Sequence, residues 1–296
     1  MRIVVTGGLG FIGSSFVDLC KNLQHEVLVV DKITYAANED WLPMDTELLV
    51  SDICDLTEED LGEYDYLVNF AAESHVDNSI KDGKPFVKSN IEGTYNLLEL
   101  ARKNKKLKKF VQISTDEVYG DLDEGHNGYG PSFENDTLYP SSYYSATKAA
   151  ADMLVYSCNH TFGLPYLITR TCNNFGIRQN KEKFIPTIIN SIKEDNNIPI
   201  YGDGKQIREW IWVEDNVKQI LKLMLSDDTG IYNISSGDTL QNIDIINEIG
   251  YILGKEPKYE FVEDRLGHDR RYHLNSKFHP KTKITKTLFD YLKEQL

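Results

Sequence analysis

The chain has 296 residues, which is enough for one large α/β unit or for a dinucleotide-binding domain with a smaller partner. Its formal net charge of −14 argues against a nucleic-acid ligand or an anionic membrane surface, because proteins that bind polyanions carry an excess of Lys and Arg. No apolar run approaches the roughly 18 residues of a membrane span, and the start of the chain lacks the apolar stretch of a signal peptide, so we expect a cytoplasmic protein.

Short β-like apolar runs alternate with helical patterns through the first half of the chain. Two long segments have helical periodicity, Pro85 to Arg102 and Tyr143 to Phe162. Alternation of this kind is typical of βαβ units and predicts an α/β fold with a doubly wound parallel sheet. The predicted strands are Ile3 to Val5, Glu26 to Val30, Glu47 to Val50, Tyr66 to Phe70, Phe110 to Ser114 and Tyr166 to Thr169.

The alternation fades after about residue 175, because Pro186, Pro199 and the turn at 202–204 divide the sequence into shorter elements. We expect residues 1–172 to form the domain of the large sheet. Residues 173–296 are predicted to form mainly a smaller α/β lobe, with some segments returning to that sheet. No repeat or linker separates the two parts, so we expect one continuous interface between them.

The first motif with chemical content is TGGLGFIG from Thr6, which follows a predicted strand and opens a predicted helix. Gly7 permits a tight turn, Gly10 lets the backbone approach a pyrophosphate, and Gly13 permits close helix packing. Asp31 ends the second strand 18 positions after Gly13, near the place of a carboxylate that binds the adenosine ribose hydroxyls. Since its charge repels a 2′-phosphate, the sequence predicts an amino-terminal Rossmann domain that binds NAD rather than NADP.

Tyr144 and Lys148 lie four residues apart on a predicted helix, so both side chains occupy one face. An ammonium group beside a phenol favours the phenolate and lowers a pKa of about 10 toward the working range. The pair alone also fits an exposed helix surface, because Tyr and Lys occur four residues apart on many helices.

Asp116 and Glu117 follow Ser114 and Thr115 directly after an apolar run, at the carboxyl end of a predicted parallel strand. Ligands of open α/β sheets bind at that edge. Adjacent strand residues point to opposite faces, so both carboxylates reach one ligand only if the chain leaves strand geometry near Thr115. Neighbouring carboxylates also split their pKa values, which suits one as an acid and the other as a base. The alternative is an acidic helix N-cap.

The cysteines and the one basic run predict structural roles. Cys20, Cys54, Cys158 and Cys172 show neither CxxC spacing nor histidines at ligand spacing, so we expect buried free thiols and no metal site. Lys103 to Lys109 leads from a polar segment into an apolar strand, and we interpret this run as solvated surface.

Together these motifs resemble the extended short-chain dehydrogenase/reductases, specifically the dTDP-glucose 4,6-dehydratase type. The adjacent Asp and Glu after Thr115 are the most discriminating feature, since related sugar C4-epimerases lack that pair. The resemblance spans nearly the whole chain. Besides TGGLGFIG, it is carried by DKITYAAN from Asp31, SDI from Ser51, AAESHVDNSI from Ala71, STDEVYG from Ser114, PSSYYSATKA from Pro140, TRTCNNFG from Thr169, YGDGKQIREWIWVED from Tyr201, YNI from Tyr232 and VEDRLGHDRRY from Val262.

The resemblance implies an enzyme that uses NAD to remove water from a dTDP- or UDP-hexose, with Thr115, Asp116, Glu117, Tyr144 and Lys148 as its catalytic residues. It further implies cofactor contacts by Phe11, Ile12, Lys32, Thr34, Asp52, Ile53, Ala71, Ala72, Ser89 and Asn174. The implied sugar-nucleotide contacts are Ser74, Thr115, Asn173, Lys183, Arg208, Asn242, Asp264, Arg265 and His268. For Arg208, a surface salt bridge is the alternative.

The chain departs from the family pattern at four places. Ala37 replaces a glycine, the segment from Asn38 to Asp52 is short, Leu266 replaces a proline, and the stretch after Tyr272 is cut back. The last two departures concern the part that would bind the nucleotide and the sugar. The sequence therefore leaves open whether the nucleotide is dTDP or UDP, and whether the sugar is glucose or N-acetylglucosamine. A C4-epimerase, a dehydratase with added 5-epimerase activity and a non-catalytic nucleotide-binding protein also stay open.

The two long helical segments also predict an assembly. Each keeps small or apolar residues beyond one core-facing stripe, as at Ala146, Ala150, Met153 and Leu154. In the extended family the corresponding helices pair across a dimer axis, so the resemblance implies a homodimer.

Overall fold

The computed structural model describes residues 1–275 and 283–296, and seven parallel strands form its largest sheet. The strands of the described residues are β1 (Arg2–Thr6), β2 (Glu26–Asp31), β3 (Glu47–Val50), β4 (Tyr66–Asn69), β5 (Lys109–Thr115), β6 (Tyr166–Thr171), β7 (Asn173–Phe175), β8 (Ile198–Tyr201), β9 (Ile207–Trp212), β10 (Gly230–Ile234), β11 (Thr239–Gln241) and β12 (Tyr259–Val262). The large sheet has the order β10-β6-β5-β4-β1-β2-β3. The strand order reverses at β1, which is where open α/β sheets bind ligands.

Helices cover both faces of this sheet, so its strands are buried on both sides. The helices of the described residues, including those of the carboxyl-terminal part, are α1 (Phe11–Asn22), α2 (Glu58–Leu61), α3 (Val76–Lys81), α4 (Lys84–Phe86), α5 (Gly93–Lys103), α6 (Tyr143–Phe162), α7 (Phe184–Lys193), α8 (Val213–Leu225), α9 (Asn242–Leu253) and α10 (Leu288–Gln295). All six predicted strands belong to the large sheet, and α6 has the predicted bounds. The predicted α/β fold with a doubly wound parallel sheet is confirmed.

The predicted helix from Pro85 to Arg102 is not one regular helix. A π-helical turn, Val87–Glu92, separates α4 from α5. The Asn90 side chain is buried there, where it accepts a hydrogen bond from Glu73 N at 2.9 Å and donates to Thr147 Oγ1 at 2.9 Å. The side chains buried in this turn, Ser89 and Asn90, are polar, so apolar periodicity does not reveal it.

The carboxyl-terminal part of the chain forms a smaller lobe and also returns to the large sheet. Its three-stranded sheet has the order β11-β9-β7, and β8 pairs with β12 in parallel. A separate core that includes Phe175, Ile188 and Ile246 fills this lobe. β10 pairs with β6 at the edge of the large sheet, so the two parts share a backbone connection as well as an interface.

Two minor predictions need correction. Lys109 is buried rather than solvated, because its Nζ donates to the carbonyls of Leu223 and Ser226, at 3.0 and 2.8 Å, at the end of α8. The four cysteines are free and three are buried, but Cys54 is partly exposed. Throughout residues 1–275 and 283–296, no helix has both the length and the apolar composition needed to cross a membrane.

Candidate active site

One cavity of about 650 Å³ lies at the carboxyl ends of the central strands, between the large sheet and the smaller lobe. It brings together residues from every motif in the first half of the chain and residues from the second half. Asp52 and Asp264 are the two predicted site residues outside its wall. The predicted residues that line it are Gly7, Gly10, Phe11, Ile12, Gly13, Asp31, Lys32, Thr34, Ile53, Ala71, Ala72, Ser74, Ser89, Thr115, Asp116, Glu117, Tyr144, Lys148, Asn173, Asn174, Lys183, Arg208, Asn242, Arg265 and His268.

The glycine-rich turn between β1 and α1 forms one end of the cavity. Gly7 has a positive φ of +69°, and a Cβ added there would lie 2.6 Å from the Ala71 nitrogen. A Cβ on Gly13 would lie 2.2 Å from the Gly7 carbonyl oxygen. Gly10 is different, because a Cβ there would meet only the Gly7 carbonyl oxygen, at 3.4 Å. Gly7 and Gly13 therefore serve close packing within the chain, whereas Gly10 leaves room on the cavity side.

Asp31 lies at the carboxyl end of β2 beside this turn. Its two carboxylate oxygens accept backbone N–H groups of Leu9, at 3.1 Å, and Ile33, at 2.9 Å, and each keeps a free lone pair for a ligand. Burial raises the pKa of Asp31, and the two backbone hydrogen bonds oppose that rise. Asp52 stands just outside the wall, with Oδ2 3.9 Å from Lys32 Nζ.

The turn that carries the two carboxylates, Asp116–Tyr119, is a 3-10 helix that begins where β5 ends. We name it the acid-pair turn. The Thr115 hydroxyl caps it, since Oγ1 accepts the Glu117 N–H at 3.3 Å and donates to Asp116 Oδ1 at 3.1 Å. The chain therefore leaves strand geometry after Thr115, as a shared ligand requires, and both carboxylates line the cavity.

The two carboxylates have different electrostatic surroundings. Burial raises the pKa of Asp116 well above its ordinary value, and the charges of Glu117 and Glu209 raise it further. Burial also raises the pKa of Glu117, but the positive charge of Arg208 is the largest opposing influence there. Asp116 Oδ2 finds no hydrogen-bond partner within the described part of the chain. Asp116 is therefore suited to hold a proton, and Glu117 is suited to accept one.

Helix α6, which we name the tyrosine–lysine helix, presents Tyr144 and Lys148 to the same cavity. The Lys148 ammonium donates to the Ile113 carbonyl at 2.5 Å, and burial lowers its pKa to about 8. Burial raises the pKa of Tyr144 above its ordinary value of 10, Glu117 raises it further, and a hydrogen bond with Thr115 lowers it. The predicted lowering by Lys148 is not seen, because the charges acting on the phenol are those of carboxylates.

Lys183 and Arg208 add positive charge to the cavity wall, where both charges act on Glu117. Lys183 Nζ donates to the Ser74 carbonyl at 3.1 Å, and burial lowers its pKa. Arg208 is only 6% exposed, so the surface salt bridge considered for it is excluded. Its guanidinium donates to the Asp269 carbonyl at 2.8 Å and lies 4.3 Å from the centroid of the Tyr272 ring.

The loop at 263–268 closes the wall beside Lys183 and Arg208. Arg265 Nη1 lies 3.2 Å from Asp77 Oδ1, across the two lobes. His268 Nδ1 lies 2.6 Å from Asp264 Oδ1, so Asp264 orients a wall residue without lining the wall itself. Burial lowers the pKa of His268 to about 4. Leu266, which replaces a proline of the family, is 79% exposed and does not line the cavity.

Comparison with known proteins agrees with this geometry. Residues 3–235 match the model of the NAD dependent epimerase/dehydratase family. The chain belongs to this family. Low-salt glycan biosynthesis protein Agl12 of Haloferax volcanii is 45% identical, covering 93% of this chain and 90% of the relative. The dTDP-glucose 4,6-dehydratase 1 of Escherichia coli is 42% identical, covering 93% and 85%.

A solved structure shows the same fold. DesIV, a dTDP-glucose 4,6-dehydratase from Streptomyces venezuelae crystallised with NAD and TYD bound, superposes on this chain with a TM-score of 0.93. The two chains are 36% identical over 99% of this chain and 95% of that one. The resemblance found in the sequence motifs is therefore confirmed at the level of the family and the fold.

In this epimerase/dehydratase family member, several charged groups at the cavity wall were not predicted from the sequence. Glu73 Oε1 lies 3.6 Å from Lys32 Nζ, and His75 Nε2 lies 4.0 Å from Glu182 Oε2. Glu73 and His75 lie inside the AAESHVDNSI segment and Glu182 precedes Lys183, so the motif neighbours of predicted residues were the available signal. Over the two described ranges, no group of three or more His, Cys, Asp or Glu side chains is arranged to hold a metal ion.

Proposed function

We propose that this protein is an NAD-dependent nucleotide-sugar 4,6-dehydratase, which converts an NDP-hexose to the NDP-4-keto-6-deoxyhexose with loss of one water. The observation that carries the proposal is that the acid-pair turn and the tyrosine–lysine helix face one cavity. An epimerase needs only the second of these elements. The relatives named dTDP-glucose 4,6-dehydratase support the same reaction.

The glycine-rich end of the cavity fits NAD. The open space beside Gly10 and the uncapped start of α1 suit a pyrophosphate, because backbone N–H groups at a helix start attract negative charge. Asp31 suits the adenosine ribose and disfavours a 2′-phosphate. NAD held there would supply hydride transfer, with the hydride leaving C4 of the sugar and returning at C6. We assign the binding of NAD to residues 1–172 and the binding of the nucleotide sugar mainly to residues 173–296.

In its phenolate form, Tyr144 accepts the C4 hydroxyl proton in the first stage of the reaction, and its hydrogen bond with Thr115 helps to lower its pKa. Lys148, with a pKa of about 8, is mostly protonated at neutral pH. Its ammonium is anchored to the Ile113 carbonyl of β5, so it supplies a fixed positive charge on the same helix face. Substrate and cofactor must bring the phenol pKa down from its raised value.

The acid-pair turn performs the second stage. A ketone at C4 acidifies the hydrogen at C5, so Glu117 removes that proton and the electron pair forms the C5–C6 double bond. The C6–O bond breaks as Asp116 donates its proton, and the hydroxyl leaves as water. Hydride return to C6 would place an electron pair at C5, which then takes a proton from the carboxyl group of Glu117. The raised pKa of Asp116 and the nearby charge of Arg208 on Glu117 support this division of roles.

The positive side chains Lys183, Arg208 and Arg265 support a nucleoside diphosphate at the far end of the cavity. Charge-assisted hydrogen bonds from such groups fix an anion inside an otherwise acidic protein. The curated relatives make dTDP-glucose the first substrate to test. The base methyl that separates dTDP from UDP is worth only about 1 kcal/mol of burial, so UDP-sugars belong in the same assay.

We also propose that the protein is a cytoplasmic homodimer. Its four free thiols are typical of a reducing compartment. Exposed apolar side chains line neighbouring parts of α5 and the tyrosine–lysine helix, namely Tyr95, Tyr143, Met153, Tyr156 and Phe162. Sedimentation at micromolar concentration should give twice the mass of one chain, and Met153→Glu should shift it toward the monomer. A monomer throughout the concentration range would contradict the dimer.

The decisive assay incubates the purified protein separately with dTDP-glucose, UDP-glucose and UDP-N-acetylglucosamine and follows product mass. The proposal expects the loss of one water from at least one of them without an added reductant. An unchanged mass with a C4-inverted sugar would establish an epimerase instead. Binding without any reaction would establish a nucleotide-binding protein.

A further inference from the structure

Arg170 is the largest fully buried side chain in the described residues, and it lies between the two catalytic elements. Its side chain is 1% exposed. β6 pairs with β5 so that Arg170 stands opposite Ser114, two residues before the acid-pair turn. A guanidinium in such a position must be compensated by charge and by hydrogen bonds, because an unpaired buried cation is costly.

Each catalytic element provides one partner for this guanidinium. Arg170 Nε donates to Asp152 Oδ2 at 3.0 Å, and Asp152 lies on the tyrosine–lysine helix one turn after Lys148. Arg170 Nη1 donates to the Tyr119 hydroxyl at 2.9 Å, and Tyr119 is the last residue of the acid-pair turn. Nη1 also donates to the Glu134 carbonyl at 3.2 Å.

Tyr119 is held on both sides. Its hydroxyl donates to Asn233 Oδ1 of β10 at 2.8 Å, and the guanidinium lies 4.8 Å from its ring centroid. The acid-pair turn is therefore tied to the edge of the large sheet through one phenol. Asp152 has a second effect, because its charge opposes the lowering of the Lys148 pKa.

Fold stability alone does not require such a network. Well-packed apolar side chains of similar volume can replace buried ion pairs with little or no loss of stability. The acid-pair turn has only four residues and its strand ends at Thr115. The contacts of Tyr119, together with the hydrogen bond between Thr115 and Tyr144, therefore set its position against the tyrosine–lysine helix. A shift of about 1 Å between reacting groups can cost about a hundred-fold in rate.

We propose that Arg170 is a positioning residue, which fixes the acid-pair turn against the tyrosine–lysine helix through Tyr119 and Asp152. The proposal rests on the dehydratase function proposed above. It predicts that loosening this network slows water elimination more than C4 oxidation, because Tyr144 stays on a regular helix while the carboxylates depend on the turn.

The test uses Tyr119→Phe, Arg170→Lys and the matched control Tyr232→Phe. Tyr232 is a buried tyrosine of β10 whose hydroxyl donates to the Thr229 carbonyl at 3.1 Å, with neither partner in a catalytic element. Single turnover gives two rates, C4 oxidation by nicotinamide absorbance and water loss by mass spectrometry. The ratio of water loss to oxidation should fall about ten-fold in Tyr119→Phe, as for one lost hydrogen bond to a charged group. It should fall about a hundred-fold in Arg170→Lys.

Amide hydrogen exchange without substrate is the second readout, and it does not depend on the reaction. Exchange at 116–120 should quicken in Tyr119→Phe relative to wild type and to Tyr232→Phe. If the wild type removes no water from any sugar nucleotide, the proposed function fails while exchange still tests the positioning role. If Tyr119→Phe matches the control in both rates and in exchange, or if both rates fall equally, the inference is wrong. Should Arg170→Lys fail to fold, the comparison of Tyr119→Phe with Tyr232→Phe tests the inference by itself.

Discussion

The two catalytic elements hold their side chains in different ways. The tyrosine–lysine helix has twenty residues, starts with a capping box between Ser142 and Ser145, and places Tyr144 and Lys148 on successive turns. The acid-pair turn has four residues at a strand end and is fixed by the Thr115 cap and by Tyr119. In the proposed mechanism, oxidation uses the regular element, whereas elimination uses the short irregular one, whose position depends in part on long-range contacts.

This contrast separates the chemistry as well as the geometry. We propose that the phenol and ammonium of the helix serve C4 oxidation, which dehydratases and epimerases share, and that the carboxylates of the turn serve the removal of water. If the separation holds, variants of the two elements should fail at different stages of one reaction.

The largest expected effect comes from Tyr144→Phe, which removes the group proposed to accept the C4 hydroxyl proton. Since elimination needs the 4-ketone, this variant should lose both C4 oxidation and water loss, by roughly a thousand-fold or more. Nicotinamide absorbance and product mass measure the two stages. Tyr251→Phe, at a highly exposed tyrosine of α9, is the control. Normal C4 oxidation in Tyr144→Phe would contradict its role.

Asp116→Asn should slow only the elimination of water, which is the second stage of the reaction. The amide keeps the shape of the side chain but cannot deliver a proton, so water loss should slow by roughly a hundred-fold to ten-thousand-fold. C4 oxidation should persist, and single turnover should accumulate nicotinamide absorbance together with a 4-keto sugar that keeps its C6 hydroxyl. Equal slowing of both stages would show that the turn is not specific to elimination.

The features of the site differ in how far they could be predicted from the sequence. The bounds of α6 followed from its apolar periodicity, and the glycine turn with Asp31 followed from a motif with known spacing. The sequence could not predict the π-helical turn at 87–92, because its buried side chains, Ser89 and Asn90, are polar and give no apolar periodicity. Nor could it predict the raised pKa of Tyr144, because burial and the charge of Glu117 act through the tertiary structure.

Residues distant in sequence were the hardest to place. Arg208 was predicted at the cavity by resemblance, but its burial over Tyr272 follows from the pairing of β9 with its neighbours and the path of residues 269–272. Arg170 lies in an ordinary-looking apolar strand, and nothing in its local sequence reveals that it contacts both catalytic elements.

A smaller effect is expected at the cofactor end of the cavity. Asp31→Ala removes the carboxylate predicted to bind the ribose hydroxyls, so the preference for NAD over NADP should narrow by about ten-fold, equivalent to one charge-assisted hydrogen bond of about 1.5 kcal/mol. Binding titrations with both dinucleotides measure it. Equal affinities of the wild type for NAD and NADP would contradict the assignment.

The smallest expected effect is on stability. The folded-state pKa of Asp116 is raised above its unfolded value, so the stability linked to its proton is fully present below about pH 4 and is lost as pH rises through the folded pKa. Asn does not titrate. The melting temperature of Asp116→Asn should therefore rise relative to that of the wild type as the pH increases from 4 to 8. A difference that is constant with pH would mean that Asp116 is not held in its protonated form.

The most direct test of the central claim is one reaction in deuterium oxide with dTDP-glucose, the substrate named for the relatives. If the acid-pair turn removes water across C5 and C6 after oxidation at C4, the product should lack one water and carry one deuterium at C5, with the original C4 hydrogen at C6. A sugar that keeps all its oxygens and gains no deuterium at C5 would contradict the account.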